Sequence, residues 1–379
     1  MNAGTRIAAL VAKEFTHLGR DRRSLAVVLT LPVLQMILFA YAISFDVTNV
    51  STVVIDQDRS PSSAAYLRSY ASSEFFDLVG VADSPAEVDD VFDRNEARIA
   101  VVVPAGFGRR LASGEQATVA VYLDGSEPTS ARVGRAFAIA LNQAYGQSVA
   151  VEWADAQGLD LASAGRLEPR VRTWYNPERR SSDFLLPGLM VVIIMVVAVQ
   201  QTAVSLVRER EQGTDEQLAI SPLRGWETMI GKLAPWTLLA FAELAVITAV
   251  GMLFFDLPLR GSLGVLALGA GLFVFCSLGL GLVISAVAPT LESANMLGLL
   301  VSILPAFILS GFAFPLGSIP VVLQAVSWLF PARFMVTISR GVFLKGAGVS
   351  ELWPELAALA GYAVVVIAVA VILSARRRR

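Results

Sequence analysis

The side chains that most often carry chemistry are scarce in this sequence, and their scarcity decides what it cannot be. His17 is the only histidine and Cys276 the only cysteine among 379 residues. A metal site built from several histidines and an internal disulfide are therefore excluded, and a Ser-His-Asp triad would rest on His17 alone. A phosphate-binding loop is approached only by GWETMIGKL at 225–233. That run has one residue too many between its glycines, has no Ser or Thr after the lysine and follows no strand, so it is not a nucleotide site. If ATP drives this protein, another polypeptide must bind it. One carboxylate stands out for its position. Glu243 falls near the middle of an apolar run, where a charged side chain costs about 3 kcal/mol on insertion scales and must face protein or water. It is either a polar point on a substrate path or proton-linked site, or an interhelical contact. Asn295, early in another apolar run, is the second polar candidate for a path.

The densest cluster of ionisable residues is VREREQGTDEQLAISPLRGWETMIGKLAPW at 207–236, lying between two runs long enough to cross a bilayer. Gly213 breaks the preceding helix. Thr214 or a polar neighbour caps a short helix whose first turn is acidic through Asp215 and Glu216, and Ser221 with Pro222 stops it. A rigid, charged helix at the membrane surface suits a lever that meets a soluble partner. An ordinary solvated loop would explain the charges alone; it does not explain the Gly, Pro and Gly-Lys punctuation.

The elements that must position this cluster follow from composition. With 55% hydrophobic and only 16% charged residues, the chain is too apolar for a typical soluble domain. A spanning helix needs roughly 20 apolar residues, and six segments qualify: 24–45, 184–207, 233–255, 262–288, 293–314 and 356–374. The first lacks a convincing cleavage site and reads as a retained helix. Cations fall before the first span (Arg6, Lys13, Arg20, Arg22, Arg23), between the second and third (Arg208, Arg210, Arg224, Lys232) and at Arg376 to Arg379. The positive-inside rule then puts both termini and the 208–232 loop in the cytoplasm. Only Arg260, Arg333, Arg340 and Lys345 occupy the short loops left for the other side.

The insert at 46–183 is too long for a loop and should lie outside the cytoplasm. It holds 13 Arg and no Lys against 20 Asp and Glu, near −7, while the remainder of the chain is near +5. Short β-branched runs at 52–55, 98–103 and 118–123 alternate with helical patterns at 60–72, 84–94 and 129–156, which predicts a small α/β domain. With no cysteine it must be stabilised by its own apolar core, and it is long enough to have one.

Ile7, Leu10, Val11, Phe15 and Leu18 recur at helical spacing in residues 1–23, with Arg6, Lys13 and Arg20 along one edge. This predicts an amphipathic helix in the cytoplasmic interface of the lipid bilayer; a plain extension of the first span is the alternative. Gly269, Gly271, Gly279 and Gly281 permit close helix approach. Pro305 and the stretch from Gly311 to Pro331 suggest a broken helix and an outer re-entrant or loop region at 312–331, tolerable only where protein or water satisfies the freed backbone. Trp328 and Phe330 would anchor it at the interface.

EREQGTDEQL at 209–218, with Glu209, Glu211, Gly213, Thr214, Glu216 and Leu218, followed by Pro222, Glu227, Gly231, Lys232 and Pro235, resembles the loop after the second span of ABC transporter type-2 permeases. IDQDRS at 55–60, VPAGF at 103–107, YNPE at 175–178, Pro187-Gly188 and SGFAFP at 310–315 resemble the drug-exporter-like branch of that family, so the likeness covers essentially the whole chain. It implies a helical polytopic membrane protein with an interfacial elbow helix at 1–23, six transmembrane helices, and an extracytoplasmic α/β domain between the first and second. It further implies pairing with a second permease subunit, identical or related, and a cytoplasmic ABC ATPase in two copies, in a bacterial inner membrane. ATP and Mg belong to that ATPase; this chain binds no cofactor and is not expected to meet nucleic acid. The substrate class is amphipathic: drugs, lipids or related compounds. The outer domain would bind substrate, dock an envelope adaptor or shield the exit. Glu209, Glu211, Gly213, Thr214, Glu216, Leu218, Pro222, Gly231 and Lys232 are the residues expected to couple the ATPase to the spans. Two other classes are weighed against this one. A secondary transporter would carry several intramembrane charges and inverted repeats, of which the sequence has one charge and no repeat. A membrane-anchored sensor or scaffold would use the outer domain alone.

Overall fold

A computed structural model describes residues 2–20, 22–42, 49–158, 174–177, 180–213 and 225–377. The chain divides into two compact units, Phe45–Arg172 and a helical unit formed by Met1–Ser44 with Thr173–Arg379. Thr173 to Asp183, assigned by sequence to the insert, thus falls with the helical unit.

The smaller unit runs β1 (Val50–Asp56), α3 (Pro61–Ala71), β2 (Phe76–Val81), a 3-10 turn at Pro85–Glu87, α4 (Val88–Asp93), β3 (Ile99–Val103), α5 (Phe107–Ala112), β4 (Ala120–Leu123) and α6 (Pro128–Ala156). The sheet order is β2-β1-β3-β4, with β1 parallel to both neighbours and β4 antiparallel to β3. β1 and β3 are the central parallel strands, which is why their sequences are continuous apolar runs rather than alternating ones. One face buries Val101 with Tyr66, Tyr70, Phe107 and Ala138. The other buries Ile55 and Val102 with Val88 and Val91. Two elements were not expected from sequence, β2 and α5. FDLVGV carries an Asp and a Gly, sits at the sheet edge and pairs with β1 through an irregularity between Thr52 and Val53. A half-exposed edge strand of that composition has no clean period-2 signal.

The loops after β1 and β3 are fastened by one carboxylate. Asp58 accepts hydrogen bonds from the Gly106 and Gly108 N–H groups at 2.7 and 2.9 Å and from the Ser60 hydroxyl. Gly106 has φ 85°, a left-handed conformation that glycine adopts without strain. Ser60 also caps α3 in a capping box with Ser63, ahead of Pro61. The IDQDRS and VPAGF motifs, distant in sequence, therefore form a single staple. Hydrogen bonds from Ser60 and then Gly108 hold the Asp58 carboxyl below its ordinary value of 3.8. A depressed folded pKa contributes stability that is present above the ordinary value and lost as pH falls through the folded one. Hydrogen exchange should find the Gly106 and Gly108 amides protected at neutral pH, losing protection below about pH 3.8. Asp58→Asn should remove most of it at neutral pH; protection that is unchanged in the variant would break this assignment.

The helical unit holds α1 (Ala3–Arg20) and α2 (Arg22–Ala42) from the first segment. It continues with α7 (Ser181–Glu211), α8 (Gly225–Phe254), α9 (Leu263–Val287), α10 (Leu291–Ile308), α11 (Val321–Ser327), α12 (Pro331–Arg340), a π turn at Gly341–Lys345 and α13 (Val349–Arg377). Among the described residues, five helices are long and apolar enough to cross a membrane: α7, α8, α9, α10 and α13. The pair Val321–Ser327 and Pro331–Lys345, bent by 88°, makes a sixth if it counts as one span. The expected first span yields a shorter apolar helix, Leu25–Tyr41, and the broken region reaches Lys345, beyond the 312–331 read from sequence.

α9 packs closely against α7, α8, α12 and α13, and its glycines are why. An added Cβ at Gly279 would lie 2.5 Å from Val366 of α13, and one at Gly281 would lie 2.6 Å from Thr202 and 2.8 Å from the Val199 carbonyl of α7. Gly269 meets Ile338 of α12 and Gly271 meets Phe241 of α8. Apolar side chains gain nothing by leaving lipid, so close backbone approach is what dispersion packing between these helices requires.

Candidate functional site

Four helix ends meet at one charged junction. α7 does not stop where its apolar run does: it continues through Arg208, Glu209, Arg210 and Glu211 and closes at Gln212, followed by Gly213 at φ 71°. α8 begins at Gly225. The stretch 208–232, expected as a loop, is thus helix at both ends. Thr214, Glu216, Leu218 and Pro222 lie outside the described residues.

Each charge at the end of α7 reaches a different helix. Glu209 forms an ion pair with Lys232 of α8, whose side chain is 8% exposed. Arg210 donates to the Ser285 and Ala288 carbonyls at the C-terminal end of α9, at 2.7 and 3.3 Å. Glu211 accepts from the Leu291 N–H at 2.7 Å, the first residue of α10. The cation sits on orphan carbonyls and the anion on an orphan N–H, so both match the sign of the helix dipole they cap. Thr290 completes the α10 N-terminus in a capping box with Ser293.

α1 locks onto the same place. Arg6 pairs with Glu227 at 2.7 Å, and the Glu227 side chain is fully buried. Gly231 lets the helices close, because a Cβ there would lie 2.6 Å from the Leu10 side chain. The amphipathic helix expected to lie on the membrane therefore also has a protein partner, with Leu10 buried against α8. Arg6, Arg210 and Glu227 were not singled out as site residues by sequence. Their partners are separated by 221 residues for Arg6 and Glu227 and by 75 for Arg210 and Ser285, which no periodicity reveals.

Beside the junction, Val204, Arg208, Glu211, Leu291, Glu292 and Asn295 line an open groove of about 550 Å³. Asn295 is exposed there, and its carbonyl accepts from Gln200 at 3.2 Å. Glu243 is not among the groove's lining residues. It is 1% exposed on the buried face of α8, and neither carboxylate oxygen has a hydrogen-bond partner among the described residues. The two residues read as a possible path are thus in different surroundings, one exposed on the chain's surface and one enclosed. No group of three or more His, Cys, Asp or Glu capable of holding a metal occurs among the described residues.

Long apolar helices whose charged ends converge on one junction define a helical membrane protein. Residues 22–372 match the family model described as ABC-2 family transporter protein. The chain belongs to that family. It is 30% identical over 351 residues to the probable multidrug ABC transporter permease YbhR of Escherichia coli, covering 93% of each chain. It is 28% identical over 344 residues to the probable multidrug ABC transporter permease YbhS of the same organism, covering 90% of this chain and 89% of that one. The inner membrane transport permease YhhJ, also from Escherichia coli, is 28% identical over 280 residues, 72% of this chain.

Two substitutions test the site. Lys232→Met removes the cation from the partly buried Glu209 and should cost roughly 2 kcal/mol, read as a lower melting temperature in detergent. The exchange Glu209→Lys with Lys232→Glu should recover most of that loss, and an exchange no better than the single change would reject the pair. Glu243→Leu should raise stability by on the order of 1–3 kcal/mol, since it removes a buried, unpartnered polar group. A loss of stability instead would mean that the carboxylate has a favourable role in the fold.

Proposed function

We propose that this chain is the transmembrane permease of an ATP-driven exporter, and that the junction is where a separate cytoplasmic ATPase engages it. The observation that carries this reading is the convergence of α1, α7, α8, α9 and α10 on the connection between α7 and α8. Force applied to that connection reaches five helices through side chains rather than through lipid. Membership of a transporter family and the absence of a phosphate-binding loop in the sequence support assigning hydrolysis, with its ATP and Mg, to a partner.

In this reading the junction and both termini face the cytoplasm, as the cation distribution favours, and the α/β unit lies outside a bacterial inner membrane. Two permease subunits, identical or related, pair and each takes one ATPase. Closure of the ATPase dimer pushes the connection, where Gly213, Thr214, Glu216, Leu218 and Pro222 form the contact. Glu209, Glu211, Gly231 and Lys232 hold the helix ends to it. α7 and α8 then tilt together and change access to a path at the dimer centre. The names of the relatives favour a multidrug, amphipathic cargo. In this reading the α/β unit meets that cargo, docks an envelope adaptor or shields the exit.

The permease should co-purify from membranes with an ATP-binding subunit. Gly213→Val forces a branched side chain into a left-handed conformation that costs about 1–2 kcal/mol. This change and Glu216→Ala should each lower efflux of an amphipathic cationic dye by tenfold or so while membrane insertion and assembly persist. Variants that keep full dye efflux and full ATP hydrolysis would remove the coupling assignment.

A further inference from the structure

α7 is fastened at both of its ends, and at the end remote from the junction Arg340 reaches both α7 and the turn after α10. Arg340, the last residue of α12, donates from Nε to the Phe184 carbonyl at 3.1 Å, from one terminal nitrogen to the Gly311 carbonyl at 2.8 Å and from the other to the Phe312 carbonyl at 3.0 Å. Its guanidinium carbon lies 3.7 Å from the centre of the Phe184 ring. Phe184 opens α7; Gly311 and Phe312 form the turn where the chain leaves α10, with Gly311 at φ 84°. The neighbouring Ser339 donates to the Pro187 carbonyl at 2.9 Å. Phe312 is 1% exposed, and a Cβ at Gly188 of α7 would lie 2.6 Å from its ring.

The arrangement suits a guanidinium and no other side chain. The turn after a helix leaves carbonyls without intrahelical partners, and these need donors from elsewhere. A planar fork of five N–H groups can serve three acceptors on two chain segments and stack on a ring at once; an ammonium cannot. The bent pair α11 and α12 is thereby tied to α7, which spans about 46 Å at 1.5 Å per residue, a full membrane with its headgroups.

We propose that Arg340 is a positioning residue that latches the bent pair to the far end of α7, so that movement of α7 driven at the junction opens and closes that end of the permease. The proposal rests on the coupling reading given above. It makes α7 a strut between the two ends, and it makes the turn at Ser310 to Phe312 the part that becomes accessible on release.

The test uses the permease purified with its ATPase and placed in lipid nanodiscs, with Ser310→Cys as reporter in a Cys276→Ser background and fluorescein maleimide as probe. Ser310 is 1% exposed beside the latch. In the parent, labelling should be low without nucleotide and rise about tenfold on trapping with ATP and vanadate. Arg340→Gln should be labelled about tenfold faster than the parent without nucleotide and should lose the nucleotide response, with ATP hydrolysis unchanged. Arg340→Lys, which keeps the charge without the fork, should fall between the two. Phe184→Ala keeps every carbonyl acceptor and removes only the stacked ring, so it should weaken the nucleotide response even if Arg340→Gln does not assemble. A parent that responds alongside variants that respond equally would overturn the latch alone. A parent that hydrolyses ATP with no change in labelling would overturn the coupling reading and the latch with it.

Discussion

Helix ends leave four N–H and four C=O groups without intrahelical partners, and a membrane protein cannot rely on solvent to satisfy those that lie at depth. In this chain that debt is met by charged side chains of other helices. Arg210 takes the end of α9, Glu211 takes the start of α10, and Arg340 takes the turn that follows α10. Because the donor of each cap is a different helix from its acceptor, satisfying the backbone and fixing the helices relative to one another are a single act. The positions of α7, α9 and α10 at the junction follow from it.

Packing then removes the freedom that the caps leave. Gly281 brings the α9 backbone against Val199 and Thr202 of α7, and Gly279 does the same toward α13. Interiors are close-packed, so a displacement of α7 is resisted by side chains in contact rather than absorbed by voids. A small cavity among α7, α8, α9 and α12 has a volume of about 10 Å³, no more than a single water would need. A rotation or tilt of α7 is therefore transmitted to its neighbours as a rigid-body movement, the kind of change that packed helices support.

Much of this was legible in the residues, and the illegible part has a common cause. Long apolar runs marked α7, α8, α9, α10 and α13, because length and composition alone identify a candidate span. Periodicity found α1, and β-branched runs found β1, β3 and β4. The end of α7 was misplaced because hydropathy reports where lipid ends and not where a helix ends; Arg208 to Glu211 are good helix formers that simply leave the apolar zone. The bent pair was seen as a broken helix from Pro305, Gly311 and Pro331, yet its extent to Lys345 was not. What sequence could not supply was pairing. Arg340 with Phe184, Arg6 with Glu227 and Asp58 with Gly106 are each joined only in three dimensions. The motif residues around them carried family likeness without revealing which side chain met which.

The two ends of α7 differ in how they would yield. At the junction the links are two ion pairs, Glu209 with Lys232 and Arg6 with the buried Glu227, together with two charged caps. Separating an ion pair of that kind leaves a charge without compensation, a cost of several kcal/mol when it is buried. At the far end the acceptors are neutral carbonyls, and a guanidinium can exchange one for another or for water at a net cost nearer 1–3 kcal/mol. A displacement imposed on the α7–α8 connection is thus resolved where the bonds are cheapest to exchange. Under the coupling proposed above, the stiff end would receive the movement, and the compliant end, around Arg340 and the turn at Gly311, would be where the shape of the permease changes.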